Sequence, residues 1–70
     1  MAKFIFNYDG TKLINLAHII MIRLEPPVLA QKDWTIVANL TYGTEILFKG
    51  TAEETHKAYT DFCHELVGRN

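Results

Sequence analysis

The run from Gly50 to Gly68, Gly-Thr-Ala-Glu-Glu-Thr-His-Lys-Ala-Tyr-Thr-Asp-Phe-Cys-His-Glu-Leu-Val-Gly, constrains the fold more than any other stretch of the chain. Thr51 and Glu54 have the spacing of a capping box, in which the threonine hydroxyl accepts the third amide proton and the glutamate reaches back to the cap N–H. A turn of about 100° per residue gathers Ala52, Thr55, Tyr59, Phe62, Cys63 and Leu66 on one face and sets Glu53, Lys57, Asp61, His64 and Glu65 opposite. Gly68 supplies the expected stop. The spacing therefore predicts an amphipathic helix, and everything before it alternates as strands that such a helix would cover.

A chain of 70 residues allows one domain, 1–70, and buries only about 60% of the surface exposed when unfolded. Stability then calls for a disulfide, a metal or a partner chain. Cys63 is the single cysteine, so an intramolecular disulfide is excluded, and its position on the apolar face predicts a reduced, buried thiol. Lysine and arginine number 7 against 8 acidic residues, for a net charge of -1. The basic residues never cluster along the chain, so the charge signature of a dedicated nucleic-acid binder is missing. The longest apolar run, Ile19 to Ile22, is far below the ~20 residues of a membrane span. No leader pattern opens the chain, and the cytoplasm is the expected location.

In order, Phe4, Phe6 and Tyr8 alternate with Ile5 and Asn7, and Asp9-Gly10 is a two-residue hairpin turn signal. A second strand runs from Thr11 to Leu16, with a bend or short turn over 15–18. A third runs from Ile19 to Glu25 and is ended by Pro26-Pro27. A loop from Val28 to Asp33 leads to a strand beginning at Trp34. Tyr42-Gly43 then turns the chain into a last strand, Thr44 to Lys49. The predicted fold class is α+β, with an antiparallel sheet of four to five strands packed against one C-terminal helix, in the order β-β-β-β-β-α.

Strand parity divides the apolar residues between both faces of that sheet. Phe4, Phe6, Ile20, Ile22, Trp34, Ile36, Ile46 and Phe48 are expected to face the helix; Ile5, Met21, Val37 and Leu47 share the opposite face with Lys3, Arg23, Asn39 and Lys49. A helix about 10 to 12 Å across cannot cover five strands spaced ~4.8 Å apart. Ile5, Met21, Val37 and Leu47 are accordingly predicted to be an interface, with a homodimer or larger oligomer the expected state.

The residues capable of chemistry converge poorly. His56 and Cys63 are separated by about 10 Å of helical rise, and His64 lies well round the helix from Cys63, so these three cannot share one ion; with His18 they match no zinc spacing. Cys63 has no neighbouring base to ionise it, as a nucleophile would need. Asp9, Glu25, Asp33 and Glu45 fall in turns or at strand edges, and no two are spaced to share a proton. Trp34 shares parity with Ile36 and reads as core or interface rather than as a base-stacking platform. No catalytic residue, metal ligand or cofactor is assigned.

The segment Asn15-Leu16-Ala17-His18-Ile19-Ile20-Met21-Ile22, followed by an alternating strand, Tyr42-Gly43-Thr44-Glu45 and the opening Thr51-Ala52-Glu53-Glu54, resembles the small flagellar-operon proteins of the FlbD type. Those are similarly short and place a strand-Gly-strand hairpin before a helix. The same segment resembles the DNA-binding LytTR domain, in which a Val-Asn-Leu strand precedes an Ile-rich one. Both resemblances span about residues 11 to 66. This chain departs from both in its extra N-terminal strand pair, its Pro26-Pro27 loop and its lack of a basic segment, so no functional residue carries across. The resulting expectation is a non-enzymatic, bacterial-type accessory domain working through homo-oligomer or protein–protein contacts. One alternative is a nucleic-acid-binding module using Lys3, Arg23 and Lys49 on an exposed sheet face. Another is a small ligand-binding domain with its pocket under the Val28 to Asp33 loop.

Overall fold

A computed structural model describes residues 3–28 and 32–68. Strands β1 (Phe4–Phe6) and β2 (Leu13–Asn15) form a short hairpin, followed by a 3₁₀ turn, Leu16–His18. Strands β3 (Ile19–Glu25), β4 (Trp34–Leu40) and β5 (Gly43–Gly50) then lead into helix α1 (Ala52–Gly68). The α+β class and the order of elements agree with the sequence reading. The single sheet does not. Among the described residues, five antiparallel strands divide into two sheets, β1-β2 and β3-β4-β5.

The division has a local cause. After β2 the chain is captured by the 3₁₀ turn, in which Asn15 caps by accepting the Ala17 N–H on Oδ1 at 3.0 Å. The chain therefore leaves the hairpin plane before β3 begins. The hairpin's outer edge meets β5 through the Tyr8 N–H, which donates to the Ile46 carbonyl at 2.8 Å. Its Ile5 and Ile14 pack on the same cluster that receives Ala58, Tyr59, Phe62 and Leu66 of α1. Hairpin and helix thus share one face of the three-stranded sheet. This solves the coverage problem posed by a helix narrower than the sheet.

The core is built from Ile14, Leu16, Ile19, Ile36, Ala38, Leu40 and Leu47. Its composition corrects the parity expected for several strands. Phe4 and Phe6 are exposed, the latter at 62%, while Ile5 between them turns inward opposite Ile14. A register shift between Ile19 and Met21 leaves Ile20 exposed and puts Ile19 in the core beside Ile22. A second shift sits between Ile36 and Val37. There Phe48 pairs with Ile36 but Ile46 pairs with Val37, so Leu47 is the extra residue of a bulge and is buried. Each bulge adds one residue to one strand and reverses which parity faces inward beyond it.

The helix begins as the sequence predicts. Thr51 Oγ1 accepts the Glu54 N–H at 3.2 Å, and Glu54 Oε1 accepts the Thr51 N–H at 3.1 Å. Thr55, Tyr59, Phe62 and Leu66 face inward, whereas Ala52 is exposed and Cys63 is half-buried rather than buried. No spacer separates β5 from the cap. A Cβ built on Gly50 would stand 2.9 Å from the capping Glu54 Oε1 and 3.0 Å from the Phe48 ring, so only glycine fits there without moving the cap. The aromatic contact between Trp34 and His56, 5.1 Å between ring centroids, docks the first helical turn on the start of β4.

Candidate functional site: the open face of the three-stranded sheet

The side of β3-β4-β5 away from the helix is set by the ladder register as three rows of three residues. Residues directly opposite one another in an antiparallel ladder share a face. The rows are Glu25, Thr35 and Lys49; then Arg23, Val37 and Ile46; then Met21, Asn39 and Thr44. Val37 at the centre is only 9% exposed between its neighbours, while Ile46 is 38% and Met21 45% exposed. The result is a partly apolar centre with charges toward one end. Arg23 is ion-paired along its own strand with Glu25 at 2.9 Å.

Of the four residues predicted as an interface, this face contains Met21 and Val37. Leu47 is in the core and Ile5 is half-buried against it, so the structure does not bring the four together. Ile46 stands where the parity count had put Leu47. The three cations of the nucleic-acid reading are also dispersed. Arg23 and Lys49 lie on the open face with β4 between them, but Lys3 belongs to the hairpin and pairs at 3.1 Å with Glu65 of the helix, on the other side of the sheet.

One margin of the face is a cavity of about 340 Å³, where the hairpin loop passes the edge of β5. Val37 and Ile46 supply its apolar wall, and Asn7, Tyr8, Asp9 and Lys49 its polar lining. The Lys49 ammonium lies 5.9 Å from the centre of the Tyr8 ring, at the outer limit of a cation–π contact. Asn7 builds the loop. It is buried, and its Oδ1 accepts the N–H groups of Thr11 at 3.0 Å and Lys12 at 3.1 Å. The Asn7 N–H itself donates to the Lys12 carbonyl at 3.0 Å. The connection is consequently a loop of residues 8–11 closed by Asn7 and Lys12, longer than the two-residue Asp9-Gly10 turn expected, with Gly10 at φ +72°.

At the same loop, Lys12 Nζ donates to Glu45 Oε2 at 2.8 Å. That hydrogen bond and the lysine's charge hold the Glu45 carboxyl below the usual carboxylate range, partly opposed by burial. The same bond holds Lys12 above the usual lysine value. The pair pins the hairpin to β5.

A pocket under the Val28 to Asp33 loop was expected for a ligand-binding domain; residues 29–31 lie outside the described residues, and the cavity observed belongs to other segments. Among the described residues no group of three or more His, Cys, Asp or Glu is placed to hold a metal ion. None of the described helices is long and apolar enough to cross a membrane. The parity count missed Ile46 because the bulge at Leu47 leaves no mark in a run of apolar residues. Asn7 did carry a signal, since an asparagine two residues ahead of Asp9-Gly10 is a side chain suited to organising a turn. Comparison with family models, with curated proteins and with solved structures finds no match to this chain.

Proposed function

We propose that the chain is a non-enzymatic interaction domain whose contact surface is the open face of β3-β4-β5, and that it works there as a homo-oligomer. The observation that supports this most is the row Arg23, Val37, Ile46 with Met21 beside it, an apolar strip across a sheet whose other face is already used by helix and hairpin. Val37 is already buried within the chain, so the gain comes from Ile46 and Met21, 38% and 45% exposed, each contributing less than the roughly 1.5 to 3 kcal/mol of a fully exposed side chain. Sedimentation of the wild type and of Ile46→Lys tests the reading. Ile46 is the proper probe because it is partly exposed already, whereas Val37 is buried within the chain and its replacement would test folding instead. A wild type that associates and an Ile46→Lys variant that does not support the reading. Association unchanged by Ile46→Lys removes this face from it.

The cavity beside Tyr8 supports a second reading, a small polar ligand held between Asp9, Lys49 and the apolar wall. Thermal-shift measurements with simple amines, carboxylates and amino acids test it; no shift with any of them, or a shift retained in Tyr8→Ala and Lys49→Ala, counts against it. Nucleic-acid binding has less support, because Lys3 and Arg23 are engaged by carboxylates of the same chain. Its test is retention of a random single strand at low salt, lost as salt is raised.

A further inference from the structure

From the arrangement of charges on the open face, and resting on the reading of that face as a self-association surface, we infer that two copies pack face to face about a two-fold axis running roughly along β4, with Glu25 of each copy paired to Lys49 of the other.

The geometry follows from the rows. For two sheets packed in the aligned manner, a two-fold axis between them lies parallel to both and runs either close to the strand direction or across it. The two choices superimpose different residues. An axis across the strands, through the middle row, keeps each strand over its own copy and exchanges the end rows. Arg23 is then set over Arg23, and Glu25 over Met21. Like charges directly opposed at a contact are repulsive. An axis along β4 instead exchanges β3 with β5 and keeps each row at its own level. Glu25 comes over Lys49, Lys49 over Glu25, Arg23 over Ile46 and Val37 over Val37. The Glu25–Lys49 row is then complementary, no like charges are opposed, and the central valines meet with each Ile46 under an Arg23 of the other copy.

The aliphatic stem of Arg23 can lie across Ile46 while its guanidinium stays with Glu25, 2.9 Å away within the same chain. Sheets packed in this manner cross at about 30°, a rotation that an axis tilted by about half that from β4 generates by symmetry. The rows extend only about 10 Å across the strands and about 14 Å along them. A patch of that size falls short of the roughly 1,000 Å² of total area that stable interfaces bury, so the dimer is expected to be weak, concentration-dependent and further weakened by salt.

Charge exchange tests the arrangement. Glu25→Lys and Lys49→Glu are each expected to weaken dimerisation about tenfold or more, and the double variant Glu25→Lys/Lys49→Glu to restore it. Within one chain these positions are two strands apart, about 10 Å, so recovery in the double variant reports contact between copies. Circular dichroism on each variant verifies that the fold is kept. A wild-type dimer broken by Ile46→Lys, with no recovery in the double variant, overturns this axis while leaving the face as the interface. A wild type that stays monomeric at hundreds of micromolar at low salt overturns both. Unaltered dimerisation in both single variants would also overturn the proposed pairing.

Discussion

Val37 and Ile46 stand opposite each other across β4 and β5 on the side of the sheet away from the helix, while Leu47, one residue on, is buried in the core. The bulge therefore does two jobs. It puts Leu47 into the core, where simple alternation from Phe48 would have put Ile46, and it hands that isoleucine to the open face.

The capping box and the aromatic core face of α1 should differ in cost. Thr51→Ala is expected to lose about 1 kcal/mol by removing the hydroxyl that accepts the Glu54 N–H. Phe62 is only partly buried, so Phe62→Ala should lose ~2 to 3 kcal/mol, below the range for a fully enclosed ring. Urea titrations of the two variants measure both; equal, negligible shifts would mean that the helix is not docked as described.

Thr55 offers a change in the opposite direction. It is fully buried, and its Oγ1 has no hydrogen-bond partner among the described residues. A hydroxyl removed from water without compensation is unfavourable, and valine has nearly the same shape. Thr55→Val is expected to stabilise the protein by roughly 1 kcal/mol. A lowered melting temperature would show that the hydroxyl is satisfied in solution.

Asn7→Ala removes the side-chain acceptor of two backbone N–H groups in the hairpin loop. The expected loss is about 1 to 3 kcal/mol, the range for stranding buried donors. Asn7→Asp keeps the acceptor and should lose less. If the two variants unfold at the same urea concentration, the loop is held by something other than this oxygen.

The Lys12–Glu45 pair gives a pH dependence whose sign is fixed. The folded state lowers the Glu45 pKa from its ordinary 4.5, so its contribution is present above that value and is lost as the pH falls through the lower folded one. Lys12 is raised above its ordinary 10.5. Its contribution is complete below that value and is lost as the pH rises through the folded one. Between these limits the pair contributes evenly. The stability difference between wild type and Glu45→Gln should be steady at neutral pH and shrink below the ordinary carboxylate range. A difference that persists unchanged in strong acid would show that the ion pair plays no part.

What could be read from the chain alone depended on how local its cause was. Thr51 and Glu54 are three residues apart and satisfy each other, so the helix start was legible. The 3₁₀ turn after Asn15 was expected as a bend or short turn over 15–18, and the ends of β3 follow from that turn and from Pro26-Pro27. The bulges at Ile20 and Leu47 were not legible. In Ile19-Ile20-Met21-Ile22 and Ile46-Leu47-Phe48, every residue is apolar enough for either face, and only pairing with β4 decides. The second sheet escaped for a related reason: alternation says that a segment is a strand but not which strand it joins. For the open face, Met21, Val37, Arg23 and Lys49 were found by parity; Ile46 was displaced with the register, and Glu25, on the parity of Met21 and Arg23, was read as a solvated carboxylate at a strand edge.

The hairpin's attachment has a consequence for how the molecule comes apart. Its strands join the three-stranded sheet through the Tyr8–Ile46 bond rather than through a ladder, and are otherwise held by Ile5, Ile14 and the flanking ion pairs Lys3–Glu65 and Lys12–Glu45. Local opening should begin there, with the 3₁₀ turn Leu16–His18 as the hinge, because side-chain burial and two ion pairs resist separation less than a continuous ladder does. An opened hairpin bares the outer edge of β5, which another copy's hairpin can occupy equally well. The same segment that completes the fold in one chain is thus the piece that two chains can exchange.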